Sequence, residues 1–462
     1  MSVSNLMGIG LSSLMTSQAG MQVTGHNIAN AHVDGFNRQR VETATAGAYA
    51  QGRFSFGQGV QTAAVRRVYD GFLAVEAGRA QASAAFEATR SAWMGRLESA
   101  FPLGEQGMSH AVQQFQGAWS DLASRPADRS LREVVLIRGQ AVAERFNAAA
   151  SHLGEVARSV RDELRQSVDQ VNQLARQIAQ ANEQIAGASG QGLAANDLLD
   201  ARDRLVNELR SLAGVTTLEG PHGMLSVLLP SGHALVQDRM VQSLQVQDGA
   251  TPDAPVRLAI SQGAGWAAIE GFAAGGGTVG GLLSFQDGEL SATRLALVDL
   301  TSGLVEAFND AHAQGFVSLA LDDPGGELFA YDAATRAMSL AAGITVDGLA
   351  TVGALNVGDG ATLSGSALRL AGLGDQPAAA AFQDDHGQLL ARVGMQVQQA
   401  RSSSDLATAL AEETRSARDG ASGVNLDEEA ARLMQYQQSY QAAAKILQAA
   451  QTVLDSLLGV AR

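Results

Sequence analysis

Apolar side chains recur every seventh residue at both ends of this chain, and that spacing limits what the ends can become. Near the start Met7, Leu14, Met21 and Ile28 fall in step, with Leu11 and Met15 beside them. From residue 425 onward Leu426, Leu433, Tyr440, Leu447 and Leu454 keep the same step, and Tyr436, Ala443, Ala450 and Leu457 fill the flanking places. Such a repeat predicts two helices, each with one apolar stripe. Asn425 is placed to cap the second, with Glu428 as its capping-box partner. Asp427, Glu428 and Glu429 add negative charge at the positive end of its dipole. Gly8, Gly10, Gly20 and Gly25 weaken the first helix by about 1 kcal/mol each relative to Ala. A lone helix of this kind is not stable in water, so each stripe needs a partner. The other end of the chain is the first choice and a second copy of the pair is the next. Physics alone gives equal weight to assembly and to capping the core of a monomer.

More helices lie between the ends. They are expected over 71–100, 109–124, 130–149, 151–187, 196–213, 280–314 and 384–417, with a break at Pro126. Residues 151–187 carry Leu164, Val171, Ile178 and Ile185 by sevens, and 280–314 carry Leu283, Leu290, Leu297 and Leu304. Two stretches depart from this. Residues 215–277 alternate apolar and polar between Gly and Pro positions, and strands are expected at 224–229, 234–236, 244–246 and 256–260. Residues 316–375 are rich in Gly and Asp, with short apolar runs at 344–346 and 367–370. Glycines 275–277 read as a hinge back into helix. The fold class expected is mainly α with an inserted β-rich domain: a long antiparallel helical bundle or coiled-coil rod built from both termini, carrying a small outer β domain. The expected division is 1–68 with 422–462, then 69–214 with 278–315 and 376–421, then 215–277 with 316–375.

Several chemistries find no support. The formal net charge is −15, which argues against nucleic acid or an anionic membrane as the main partner. With no Cys, disulfide frameworks and thiolate sites are excluded. No apolar run reaches the ~18 residues of a membrane helix. The first charged side chain is Asp34 and the first cation Arg38, so the start is not expected to act as a secretory signal. None of the eight His is paired at helical metal spacing, and the one Lys, Lys445, follows no phosphate-binding loop. No catalytic, cofactor-binding or metal-binding residue is assigned. Residues 322–327 read as a solvated turn. The Arg202–Asp203 and Asp200–Arg204 pairs read as exposed support along one helix face. Trp266 and Phe272 read as core residues.

Two stretches carry a resemblance. Asn27-Ile28-Ala29-Asn30-Ala31, followed by Gly35-Phe36, resembles the signature of flagellar rod, hook and hook-associated proteins. Ser422-Gly423-Val424-Asn425-Leu426-Asp427-Glu428-Glu429, running on through Leu433, Tyr436, Tyr440 and Lys445, resembles the C-terminus of the hook-associated protein 1 family. Residues 119–123, 196–203 and 280–285 are also similar to that family, whereas the β-rich stretches carry no such motif. The resemblance implies a structural, non-enzymatic flagellar protein. It would be exported without a cleaved signal by the flagellar type III apparatus, would assemble at the hook–filament junction, and would need neither cofactor nor metal. Its partners would be its own subunits, hook protein, a second junction protein (hook-associated protein 3) and an export chaperone for the last helix. Neither nucleic acid nor membrane insertion is implied. Assembly would rest on Asn27, Ile28, Asn30, Gly35 and Phe36 at the N-terminal motif. On the last helix it would rest on Leu426, Leu433, Tyr436, Tyr440, Leu447, Leu454 and Leu457. Gly35 would permit a positive φ, and Asn30 would bond nearby backbone. Another axial flagellar protein of hook or filament type is the alternative, followed by a secreted adhesin or binding protein, or a hydrolase in the β insert.

Overall fold

A computed structural model describes the chain except at residues 1–2, 52–53, 192–194, 250–253, 264, 273–275, 355–359, 376 and 461–462. Its spine is helix α4, Arg129–Gly190. The 62 residues span about 93 Å at 1.5 Å each. Asp128 starts it by accepting from the N–H groups of Ser130 and Leu131. The expected helices at 130–149 and 151–187 are thus one, because no Pro or capping signal lies between them. Leu153, Val160, Leu164, Val171, Ile178 and Ile185 line its buried face.

The other helices before the spine are α1 (Val3–Ala29), α2 (Gly71–Glu98) and α3 (Met108–Ser124). After it come α5 (Asn196–Ala213), α6 (Gly277–Phe285), α7 (Ser291–Ala313), α8 (Gly365–Ala371), α9 (Pro377–Ser422) and α10 (Leu426–Val460). A π-turn over Gln286–Leu290 joins α6 to α7. Leu283, Leu290, Leu297 and Leu304 all remain buried across it. Two long helix pairs organise the rest, α1 with α10 and α2 with α9. Of the expected hinge, Gly275 lies outside the described residues. Gly276 and Gly277 take φ of +86° and +75°, and a Cβ on Gly277 would come 2.7 Å from the Leu212 backbone. Only glycine suits that position.

The strands are short and antiparallel. β1 (Gln39–Thr45) pairs with β4 (Val60–Arg67), enclosing the β2 (Ala48–Gln51) and β3 (Phe54–Gly57) hairpin. Sequence patterning assigned no strand there, since the alternation is broken by Ala and Gly. β5 (Thr216–Glu219), β6 (Leu225–Leu228), β7 (Ala234–Gln237) and β8 (Met240–Val241) form one sheet in that order. β9 (Leu244–Gln247), β10 (Arg257–Gln262) and β11 (Gly265–Ile269) form another in the order β11-β10-β9. β12 (Phe329–Asp332) and β13 (Ala337–Leu340) pair separately, so the two β-rich stretches contribute to different sheets. Two details differ from the sequence reading. The run at 367–370 is helical in α8, where Ala367 and Leu370 turn one face inward, and 344–346 forms no strand. Phe272 is core, but Trp266 is 45% exposed because β11 is an edge strand.

A recurring device fastens strands to helices. Within α4, Asn147 donates from Nδ2 to the Met338 carbonyl at 2.8 Å and accepts from the Met338 N–H at 2.8 Å. Asn172 does the same with Leu244, at 2.8 Å each way. Asn182 accepts from the Leu225 N–H and donates to the carbonyls of Leu225 and Asp238. In α7, Asn309 donates to Phe329 and accepts from Leu328 and Phe329. Each amide presents both a donor and an acceptor to the backbone, as a neighbouring strand would. These asparagines sit in helix interiors against their intrinsic preference, and they supply hydrogen bonds to backbone groups of the strands packed on the helices.

Two histidines carry a pH dependence. His312 is fully buried. Its Nδ1 bonds the Gly326 carbonyl at 2.7 Å and its Nε2 accepts from the Ala350 N–H at 2.9 Å. That pair of bonds requires the neutral ring. His386 stacks on Phe382 and bonds the Ser109 hydroxyl at 2.7 Å. Burial holds both below the ordinary histidine value of 6.5. The unfolded chain therefore takes up protons before the folded one does. The stability they confer is complete above pH 6.5 and is lost as pH falls toward their folded values. Urea unfolding between pH 7.5 and 5 should show stability falling below pH 6.5, by up to about 1.4 kcal/mol per pH unit for each histidine. A flat profile would contradict this.

Candidate functional site

The terminal helices α1 and α10 run antiparallel, and their contact is made by small side chains. A Cβ on Gly20 would enter the Tyr436 ring, and one on Gly10 would lie 2.9 Å from Leu447. Two of the glycines that weaken α1 therefore allow close approach, while Gly8 and Gly25 face open space. On α1 the buried positions include Thr16, Ser17, Gly20, Thr24 and Asn27, and on α10 Glu429, Ala443 and Ala450.

The apolar stripes are covered only in part. Met7, Leu14, Met21 and Ile28 are half-buried, as are Leu433, Tyr436 and Leu447. Leu426, Tyr440, Leu454 and Leu457 are exposed, together with Leu11, Met15, Met434, Val453 and Leu458. Glycines of α1 thus seat Tyr436 and Leu447 of α10, while other large apolar side chains of both helices stay outward. Met15 at 65% and Leu457 at 56% exposure mark the two helices' open faces.

At the inner end of the pair lies a buried polar corner. Asn27 Nδ2 donates to the Gln39 carbonyl and to Glu429 Oε2, both at 2.9 Å, and Asn27 Oδ1 accepts from the Gln39 N–H at 2.9 Å. One side chain so ties α1, β1 and α10. Glu429 stands in the first turn of α10 with Asp427 and Glu428, as expected, but it is buried, and its other oxygen accepts from Arg432 at 3.1 Å. Asn425 caps α10 as expected, accepting from the N–H groups of Asp427 and Glu428. Glu428 does not close a capping box. It turns instead to Arg38 at 3.0 Å. Asn30 donates to the His26 carbonyl at 2.9 Å and finishes α1. Gly35 takes φ of +74°, and a Cβ there would meet Arg204 Cγ at 2.7 Å. Phe36 packs edge-on against His26.

A second cluster anchors this corner to α5. Asp200 is buried and accepts from Asn37 Nδ2 at 2.7 Å and from Arg67 at 2.7 Å. Arg67 also reaches Asp203 at 2.8 Å. Burial works against the Arg67 charge, but Asp203 and Asp200 outweigh it and raise its pKa. Asp197 accepts from Gln39 Nε2, and Asn196 donates to the Val65 carbonyl. The exposed helix-face reading of Asp200 and Arg202 is therefore wrong. Both are buried, because α5 packs against the β1–β4 hairpin and the spine. Asn37, Gln39, Arg67, Asp200 and Glu429 were not among the assigned site residues. Asp200 and Glu429 lie inside stretches that carry the resemblance, and the carboxylates spaced at 197, 200 and 203 are a further signal.

Among the described residues, no three metal-ligating side chains converge, and no helix is long and apolar enough to cross a membrane.

Comparison with known proteins gives consistent matches. The model of the flagellar hook-associated protein FlgK helical domain matches residues 94–329. The model of the flagellar basal body rod FlgEFG protein C-terminal matches residues 418–460. Flagellar hook-associated protein 1 of Salmonella typhimurium is 26% identical over 317 residues, covering 68% of this chain. The chain spans 57% of that relative's length. The Bacillus subtilis protein of the same name is 28% identical over an alignment 490 positions long, covering 96% of both chains. The solved flagellar hook junction protein FlgK of Burkholderia pseudomallei superposes with a TM-score of 0.50 at 28% identity, over 55% of this chain and 46% of its own.

Proposed function

Since the chain belongs to the flagellar hook-associated protein FlgK family, we propose that it is a structural subunit of the flagellum that joins hook to filament and performs no catalysis. The observation that carries this reading is the outward apolar face of the α1–α10 pair. Leu11 and Met15 on α1 and Leu454, Leu457 and Leu458 near the end of α10 are large apolar side chains that a lone molecule leaves in water, and exposed apolar groups of this kind mark contact sites. Like copies packed around a tube would bury them. Residues 1–68 with 422–462 would line that tube, the helices of α2, α4 and α9 would form the next shell, and the small sheets would lie outside. Hook protein would meet one side of the ring and a second junction protein the other. Before assembly, an export chaperone would cover α10, whose last turns are exposed along their whole circumference.

The test is a double substitution, Leu454→Glu with Leu457→Glu. Both side chains are exposed, so monomer stability should change by no more than about 0.5 kcal/mol. Introduced into a strain lacking its own copy, the variant should fail to hold filaments on hooks and should leave cells non-motile. Wild-type swimming with a folded, exported variant would refute the proposal.

A further inference from the structure

A cavity of about 250 Å³ lies where α2, α5, β5 and the end of α9 meet. Arg67, Tyr69, Arg202, Arg210, Thr217 and Arg418 are among its walls. Two of these cations are already neutralised. Arg67 holds Asp200 and Asp203, and Arg418 holds Asp419. The other two are held less closely, Arg202 by one long ion pair and Arg210 by neutral groups alone. Arg202 is 4% exposed and its nearest carboxylate, Asp203, stands 3.9 Å away. It donates to the Gly223 carbonyl and to Asn182 Oδ1, while its Nε has no partner among the described residues. Arg210 is 9% exposed and bonds only the neutral Asn207 and Thr217 oxygens, at 3.1 and 2.9 Å. Glu219 also lines the wall but sits on an exposed strand position.

Buried charges are ordinarily paired. Five arginines line this cavity, Arg204 among them, against the three carboxylates of Asp203, Glu219 and Asp419. Among the described residues Arg210 has no carboxylate partner and Arg202 has only a long one. This excess of cation suits a planar or tetrahedral oxyanion, which Arg grips through paired N–H donors. We propose that this cavity binds one small oxyanion of the phosphate class, held by Arg202 and Arg210 with Thr217 orienting Arg210. The direction of the arginine pKa values agrees. Burial pushes both below the usual arginine value, and nearby Asp203 does not restore them. A bound anion would tie the α2–α9 pair to α5 and the adjoining sheet.

The full chain should be titrated with inorganic phosphate by calorimetry, in a chloride background of constant ionic strength, and melted with and without the ion. One saturable site and a raised Tm are expected. Arg210→Gln should weaken binding at least tenfold. Arg239→Gln, which removes an exposed arginine outside the cavity, should leave it unchanged. If Arg210→Gln does not fold by circular dichroism, Thr217→Val replaces it and should weaken binding at least threefold. No stabilisation beyond chloride, equal binding by the folded cavity variant, or tighter binding of acetate than of phosphate would overturn the proposal.

Discussion

Asp200→Ala is expected to cost about 3–5 kcal/mol of folding stability, the range for removing one partner from a buried ion pair. The carboxylate is 3% exposed. Its loss strands the Arg67 guanidinium with Asp203 alone and takes the acceptor from Asn37. Water cannot replace it without opening the contact between α5 and the β1–β4 hairpin. Asp200→Asn keeps an acceptor oxygen but not the charge, so it should fall between wild type and Ala. Urea unfolding followed by circular dichroism measures both. A loss below about 1 kcal/mol for Asp200→Ala would show that the cluster does not hold the corner.

Asn27→Ala should act at the same corner by a different route. It leaves the Gln39 N–H, the Gln39 carbonyl and the Glu429 carboxylate without their shared partner. Each unsatisfied buried group costs about 1–3 kcal/mol, so a loss of about 3 kcal/mol or more is expected. Asn27→Asp should be at least as harmful, since it sets a carboxylate beside Glu429 and removes the donor to Gln39. The readouts are the urea midpoint and the rate at which a protease cleaves α10. Both should change together, because the damage frees the terminal pair from the hairpin. An unchanged cleavage rate with a lowered midpoint would place the loss elsewhere.

The long helices were legible because apolar residues at three- and four-residue steps survive any tertiary context. Leu164, Val171, Ile178 and Ile185 are buried as their spacing requires. The terminal stripes were legible as helices but not in their division of labour. A seven-residue repeat does not reveal that Gly10 and Gly20 give α10 its close seat while Met15 and Leu457 stay outside. The motif pointed to Asn27, Asn30 and Gly35, and the geometry gives each a physical task. The partners of that motif were not legible. Asp200 lies 163 residues from Asn37 and Glu429 lies 402 residues from Asn27, and no local pattern spans such distances. The mid-helix asparagines were the overlooked signal. Asn147, Asn172, Asn182 and Asn309 each oppose helix propensity, which is a reason to ask what backbone each one serves.

That fastening has a consequence for how such a chain can change. Because β13, β9 and β6 are each gripped by a separate amide on one unbroken helix, α4 behaves as a keel to which independent fittings are bolted. A fitting can be enlarged, shrunk or exchanged at its loops while the amide seat and the timber beneath stay as they were. Lengthening or trimming such a loop in this chain should therefore leave the packing along the timber unaltered.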